Sequence, residues 1–138
     1  MTAPGQTLVL PAAMREEIVA HARADAPREC CGIIAGRNGE PTRLYRLTNL
    51  EPGVDRYLID DAEVYRVYRE IEDGGDELLA IYHSHPVSVA YPSKTDVALA
   101  FWEEAFYAIC SLEHPEAPVI RAFRIVGEEI TEAVVSSQ

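Results

Sequence analysis

Positive charge is scarce in this chain of 138 residues: 12 Lys and Arg stand against 23 Asp and Glu, a formal charge of −11. Nucleic-acid backbones are held by clustered Lys and Arg, so this balance speaks against DNA or RNA as a partner. Cysteine is scarce too. Cys30, Cys31 and Cys110 are the three present, two of them adjacent and none in a Cys-x-x-Cys pair. That excludes a disulfide framework and the cysteine pair that zinc deaminases add to their site. All three fall in or beside apolar strand-like runs, where cysteine acts as a small buried hydrophobe. No apolar run approaches the roughly 20 residues of a membrane span. The first fourteen residues lack the basic start and apolar stretch of a signal peptide. A cytoplasmic protein without membrane contact is expected.

Hydrophobic residues make up 48% and charged residues 25% of the chain, the ordinary globular balance at a length that suits one domain, residues 1–138, with a real core. Residues 1–6 read as a frayed start. Thr7 to Leu10 predicts a short strand, and Pro11 suits the start of a helix whose stripe is Met14, Ile18, Val19 and Ala22. Cys30 to Gly36 predicts a buried strand followed by an Asn38-Gly39 turn. Strands are also predicted at Arg43 to Leu50 and Arg56 to Ile59. Asp60 or Asp61 caps a second helix carrying Val64, Val67, Tyr68 and Ile71, which Gly74-Gly75 ends. Glu77 to His85 predicts a central strand, apolar and then polar. A helix from about Ser93 through Trp102 follows, then strands at Phe106 to Leu112, Val119 to Val126 and Glu129 to Val135, the last two a hairpin turning at Gly127. Helices interleaved with strands in mixed order predict an α/β fold, a sheet flanked by helices.

One stretch carries chemistry. His83-Ser84-His85-Pro86, then Ser93 and Asp96, place two imidazoles, a hydroxyl and a carboxylate within 14 positions. In a strand, residues i and i+2 share a face, so both rings project to one side. Pro86 cannot donate to a ladder and ends the strand. Asp96 falls in the first turn of the following helix, from which it can face back toward the strand end. Ser93-x-x-Asp96 also has the form of a helix cap, and capping and ligation are compatible. Two His and one Asp form the open, three-ligand zinc set that leaves a fourth position for chemistry. A closed structural site wants a fourth protein ligand, and no cysteine lies near. His21, among charged residues on the first helix, and His114, before Pro115, lack ligand spacing and read as solvated. Glu103-Glu104 and Glu128-Glu129 read as solvated faces. Tyr91 either shapes a groove or packs its own loop.

The His83-Ser84-His85-Pro86, Ser93 and Asp96 pattern resembles the signature of the JAMM (MPN+) zinc metallopeptidases. Arg28-Glu29-Cys30-Cys31-Gly32 resembles the matching upstream segment of the short prokaryotic branch, and the resemblance covers the chain from about residue 8. It implies an MPN fold, a curved mixed β-sheet flanked by helices. It implies that His83, His85 and Asp96 bind one Zn2+ per chain, that Glu29 is the base acting on water, and that Ser93 helps hold the oxyanion. From the residues alone, Glu29 is either an ordinary exposed carboxylate at a strand entrance or a partly desolvated base.

The activity implied is hydrolysis of a peptide or isopeptide bond. Prokaryotic relatives with the Glu-Cys-Cys-Gly segment resemble peptidases acting after the C-terminal Gly-Gly of a small ubiquitin-like sulfur-carrier protein. One such activity releases cysteine during cysteine biosynthesis; another, deubiquitinase-like, frees modifiers from lysine side chains. A non-catalytic MPN scaffold is the rival of a different class, and such scaffolds usually lose metal ligands, all of which are present here. A narrow groove taking an extended tail by strand addition fits a protein of this size.

Overall fold

Apolar runs and turn residues along the chain resolve, in the computed structural model, into seven strands and three helices, with residues 6–138 described. In chain order the elements are β1 (Thr7–Val9), α1 (Ala12–Asp25), β2 (Cys31–Arg37), β3 (Glu40–Leu47), α2 (Asp61–Asp73), β4 (Glu77–His85), α3 (Lys94–Ala98), β5 (Phe106–Ser111), β6 (Val119–Val126) and β7 (Glu129–Ser136). The strands form one mixed sheet in the order β1-β7-β6-β5-β4-β2-β3. Two pairs, β1–β7 and β4–β5, are parallel and the remainder antiparallel. The expectation for the chain start lies outside the described residues except at Gln6, whose carbonyl accepts from the Val134 amide at 2.9 Å.

Period-2 alternation gives the sheet two buried faces. One, under α1, gathers Ile18, Ala22, Cys30, Ile34, Tyr82, Ala108 and Cys110. The other, under α2, gathers Cys31, Ile33, Val67, Ile71, Ile81, Ile109 and Phe123. Adjacent Cys30 and Cys31 therefore enter opposite cores, as small buried hydrophobes. Burial pushes both thiols up to about 12 and that of Cys110 up to about 11, so none is poised as a nucleophile. The β2–β4 register slips by one residue between Ile34 and Ala35. Such a bulge bends a strand and raises its twist, curling the sheet. Asn38 and Gly39 both take positive φ, 54° and 81°, as the tight β2–β3 hairpin requires. No helix among the described residues is long and apolar enough to cross a membrane.

Four expectations need correction. His21 is not solvated: it lies three residues beyond Ile18 on the inner stripe of α1, buried, with Nδ1 2.7 Å from the Tyr82 hydroxyl. Its charged sequence neighbours disguised that face. The strand predicted from Arg43 runs from Glu40 to Leu47 instead. Arg56 to Ile59 is no strand; a single bridge, Asn49 to Ile59, is all that forms, because no strand lies alongside. The helix after Ser93 stops at Ala98. From Leu99 the chain must turn to feed β5, parallel to β4, and it leaves Phe101 and Trp102 at the surface.

Gly32 sits opposite Tyr82 in the β2–β4 ladder, and a Cβ there would lie 2.1 Å from the Tyr82 ring. The buried tyrosine occupies the space that a side chain would need. Gly32→Ala is expected to cost at least about 1–3 kcal/mol through overpacking, read as a lower urea midpoint; an unchanged midpoint would show that the ring moves aside freely.

Candidate metal centre

The C-terminal end of β4 and the entrance to β2 build the site together. Cys31 pairs with His83 in this antiparallel ladder, and continuing the register sets Glu29 opposite His85. Ser84, on the other face of β4, locks the alignment: its Oγ accepts from the Cys30 amide at 2.8 Å and its own amide donates to the Cys30 carbonyl at 3.1 Å. Glu29, Cys31, His83 and His85 thus share one face. Glu29, 54 residues upstream in sequence from His83, arrives at the site through strand pairing.

The third wall is the start of α3. Ser93 caps it, Oγ accepting from the Asp96 amide at 3.1 Å, while Asp96 Oδ2 accepts from the Ser93 amide at 2.9 Å. This reciprocal box turns the buried Asp96 carboxylate back toward β4. Its Oδ2 lies 3.1 Å from His83 Nε2 and 3.0 Å from His85 Nε2, and the two Nε2 atoms are 3.1 Å apart. One potential ligand atom from each of Glu29, His83, His85 and Asp96 fits within 4.8 Å of all the others, and all four residues are buried.

Supporting contacts fix the rings. His85 Nδ1 lies 2.8 Å from the Val89 carbonyl, which can only accept, so Nδ1 carries the hydrogen and Nε2 is the nitrogen left free to coordinate an ion. Ser111 Oγ donates to the Ser88 carbonyl at 2.6 Å, holding the same loop. Tyr57 stacks on His83 with ring centroids 4.5 Å apart. Tyr91 packs edge-on against Phe123 at 5.4 Å, the loop-packing alternative, with its outer side exposed.

Electrostatics mark the cluster as incomplete on protein atoms alone. Glu29 Oε1 and His83 Nδ1 are buried without a hydrogen-bond partner among the described residues. Burial pushes the Asp96 carboxyl up, but hydrogen bonds from both histidines and the Ser93 amide outweigh it and hold the group well below the usual range. Burial lowers His83, against the pull of Asp96. For His85 burial also lowers, yet the Asp96 and Val89 bonds prevail and raise it. Burial drives Glu29 up to about 7, with His85 opposing and Asp96 reinforcing.

The donor set fits a small divalent ion. With Nδ1 of His85 protonated, a neutral ring would aim the Nε2 lone pair at a carboxylate oxygen, which repels unless a proton or cation lies between. A tetrahedron with arms of roughly 2.0–2.2 Å has edges of about 3.3–3.6 Å, close to the observed triangle of two nitrogens and one oxygen. His83, His85 and Asp96 are the three that meet in that triangle; Glu29 stands beside it.

His114 and the four surface glutamates at 103, 104, 128 and 129 are exposed and stay outside the cluster, as expected; His21 lies on the opposite face. Sequence reasoning missed Ser84, Tyr57, Asn49 and Ser111. Asn49 carried one signal, an Asn shortly before Pro52-Gly53, which marks turn chemistry.

A family model described as prokaryotic homologs of the JAB domain matches residues 11–126. The CysO-cysteine peptidase of Mycobacterium tuberculosis is 40% identical over 131 residues, covering 94% of this chain and 90% of that one. The desampylase of Haloferax volcanii is 38% identical over 112 residues, covering 75% and 80%. In fold, the crystal structure of a JAB1/MPN domain protein from Archaeoglobus fulgidus superposes with a TM-score of 0.63 at 17% identity, covering 93% of this chain and 98% of that one.

In metal-free protein the depressed Asp96 carboxyl sets a pH dependence. Unfolded it titrates near 3.8, folded below that, so its stabilisation is present above about pH 4 and lost as pH falls further. Urea midpoints in chelator are expected to drop between about pH 5 and about pH 3, and to drop less steeply in Asp96→Asn. Parallel curves for the two proteins would contradict the pairing.

Proposed function

The chain belongs to the family of prokaryotic homologues of the JAB domain, and from that premise we propose that it is a zinc-dependent peptidase. Its substrate in this reading is a small ubiquitin-like sulfur-carrier protein, cut after a C-terminal Gly-Gly, with release of cysteine in cysteine biosynthesis. The observation that carries the proposal is the convergence of four buried donor side chains from a strand end, a strand entrance and a helix start. Burying such groups is costly unless they are partnered. A non-catalytic scaffold would have no use for that expense. The similarity to a CysO-cysteine peptidase over nearly the whole chain supports the substrate class. Similarity to a desampylase favours, as the second reading, removal of ubiquitin-like modifiers from lysine side chains.

In the proposed mechanism His83, His85 and Asp96 hold the zinc, which supplies Lewis-acid polarisation and water activation near neutral pH. Glu29 takes the proton of the attacking water through its carboxylate oxygen and returns it to the departing amine. Burial pushes the Glu29 carboxyl up to about 7 in the metal-free protein; a bound cation would pull it down again, toward the ionised form that accepts the proton of water. The Ser93 hydroxyl accepts the Asp96 amide with a lone pair, which leaves its own hydrogen to donate to the developing oxyanion. Pro86 ends the strand just past His85, so the loop to Ser93 stays clear of the ladder.

The test is a purified, zinc-loaded protein incubated with a Gly-Gly-ended carrier bearing one added C-terminal cysteine, followed by mass spectrometry. Loss of one cysteine residue is expected. Glu29→Gln should retain one zinc per chain and lose about 10²–10⁴ in rate. Ser93→Ala should lose about 10²–10³. His85→Ala and Asp96→Ala should lose metal and turnover together. Full activity in Glu29→Gln would refute the assigned base, and cleavage only of lysine-linked conjugates would select the second reading.

A further inference from the structure

We infer that Asn49 is the positioning residue for Glu29, tying the main chain of the proposed base to the loop that seats Tyr57 against His83; the inference rests on the zinc-peptidase reading. The β2–β3 ladder pairs Cys31 with Leu47, and continuing that register puts Asn49 opposite Glu29. At this position a side chain takes over from the backbone ladder. Asn49 Nδ2 donates to the Glu29 carbonyl at 2.9 Å and to the Arg56 carbonyl at 3.3 Å. Its Oδ1 accepts from the Glu51 and Leu58 amides, both at 2.9 Å. Every polar position of the buried amide is used.

The tether matters because the carboxylate end of Glu29 is held by nothing comparable. Glu29 Oε1 is buried with no hydrogen-bond partner among the described residues. With no hydrogen bond steering that oxygen, the placement of the buried side chain follows its backbone and its packing, and the Asn49 bond is what holds the Glu29 carbonyl. Arg28 closes the arrangement from the other side, donating to the Asn49 carbonyl at 2.7 Å and to that of Glu51. The loop so fastened carries Tyr57, whose ring stacks on His83. One amide side chain thus sets the base and one ring of the metal cluster in a common frame. Small errors in such a frame lower turnover without altering substrate affinity.

Asn49→Asp removes the donor side of this role and keeps the acceptor side. It retains the acceptor for the Glu51 and Leu58 amides, and it replaces the donor to the Glu29 and Arg56 carbonyls with an oxygen facing both. With one zinc per chain retained, kcat should fall roughly 10- to 100-fold with KM within about threefold. In a Glu29→Gln background the same substitution should cost nothing further, since both changes act on one group. Amide exchange in the metal-free protein reads the tether without catalysis. The Cys30 amide, in the peptide plane of the Glu29 carbonyl, should exchange at least about tenfold faster in Asn49→Asp while Ile33 is unchanged. Asn49→Ser, too short to reach Glu29 and uncharged, carries the same measurements if the aspartate variant does not fold. Unchanged Cys30 exchange, wild-type kcat, or losses that multiply with Glu29→Gln would each overturn the inference. Absence of cleavage by the zinc-loaded wild type would instead strike at the peptidase reading, and the exchange result would still decide the tether.

Discussion

The antiparallel pairing of β2 with β4 is the constraint on which the site depends. It fixes Cys31 against His83, and the two-way bonding between Ser84 and Cys30 prevents slippage at the strand ends. Side-chain period in a strand is two, so a one-residue slip would carry His83 and His85 to the α1 side of the sheet and Glu29 out of reach. The packing below reinforces that register. Tyr82 needs the empty position at Gly32, and a slipped pairing would press its ring into a side chain.

Against this rigid base the cluster assembles groups that resist burial individually. One donor atom from each of two imidazoles and two carboxylates lies within 4.8 Å of the others, and all four residues are buried. Asp96 stays ionised because two rings and an amide surround it, while Glu29, lacking such partners, is driven toward its neutral form. Environment alone thus drives the two carboxyl groups in opposite directions. Asp96 is a fixed anion suited to ligation, and Glu29 a titratable group suited to proton transfer.

Much of this was legible in the sequence. The His-x-His spacing and the Ser-x-x-Asp cap are short-range patterns whose geometry follows from strand and helix periods, and the structure brings all five residues named from them or from the family resemblance to one end of the sheet. The places of most strands along the chain were recoverable for the same reason, their runs being periodic, whereas their order in the sheet was not read from the sequence. What stayed hidden was long-range or hydrogen-bonded. Composition around His21 is charged, yet its helical phase buries it. Segment 56–59 is apolar and β-branched enough to mimic a strand, but strand formation requires a neighbour that the topology withholds. Asn49 and Ser84 act through partners that lie 20 and 54 residues away in sequence, Glu29 and Cys30, and no local period announces such bonds. The helix after Ser93 ended early because the crossover to β5 overrode its propensity.

The reciprocal cap at the start of α3 has a consequence for how such a chain can vary. Because Ser93 and Asp96 fix each other through helix geometry, their interval is inherited from the backbone and tolerates no insertion. The span from Pro86 to Pro92 meets the rest of the molecule through the Ser88 and Val89 carbonyls, the Tyr91 ring and the buried Ala90 and Pro92 side chains. Carbonyls are common to every residue type, so side chains such as Val87 and Val89, which point outward, are free to diversify. Descendants of this sequence can thereby change the rim while the four-residue cluster beneath it stays constant.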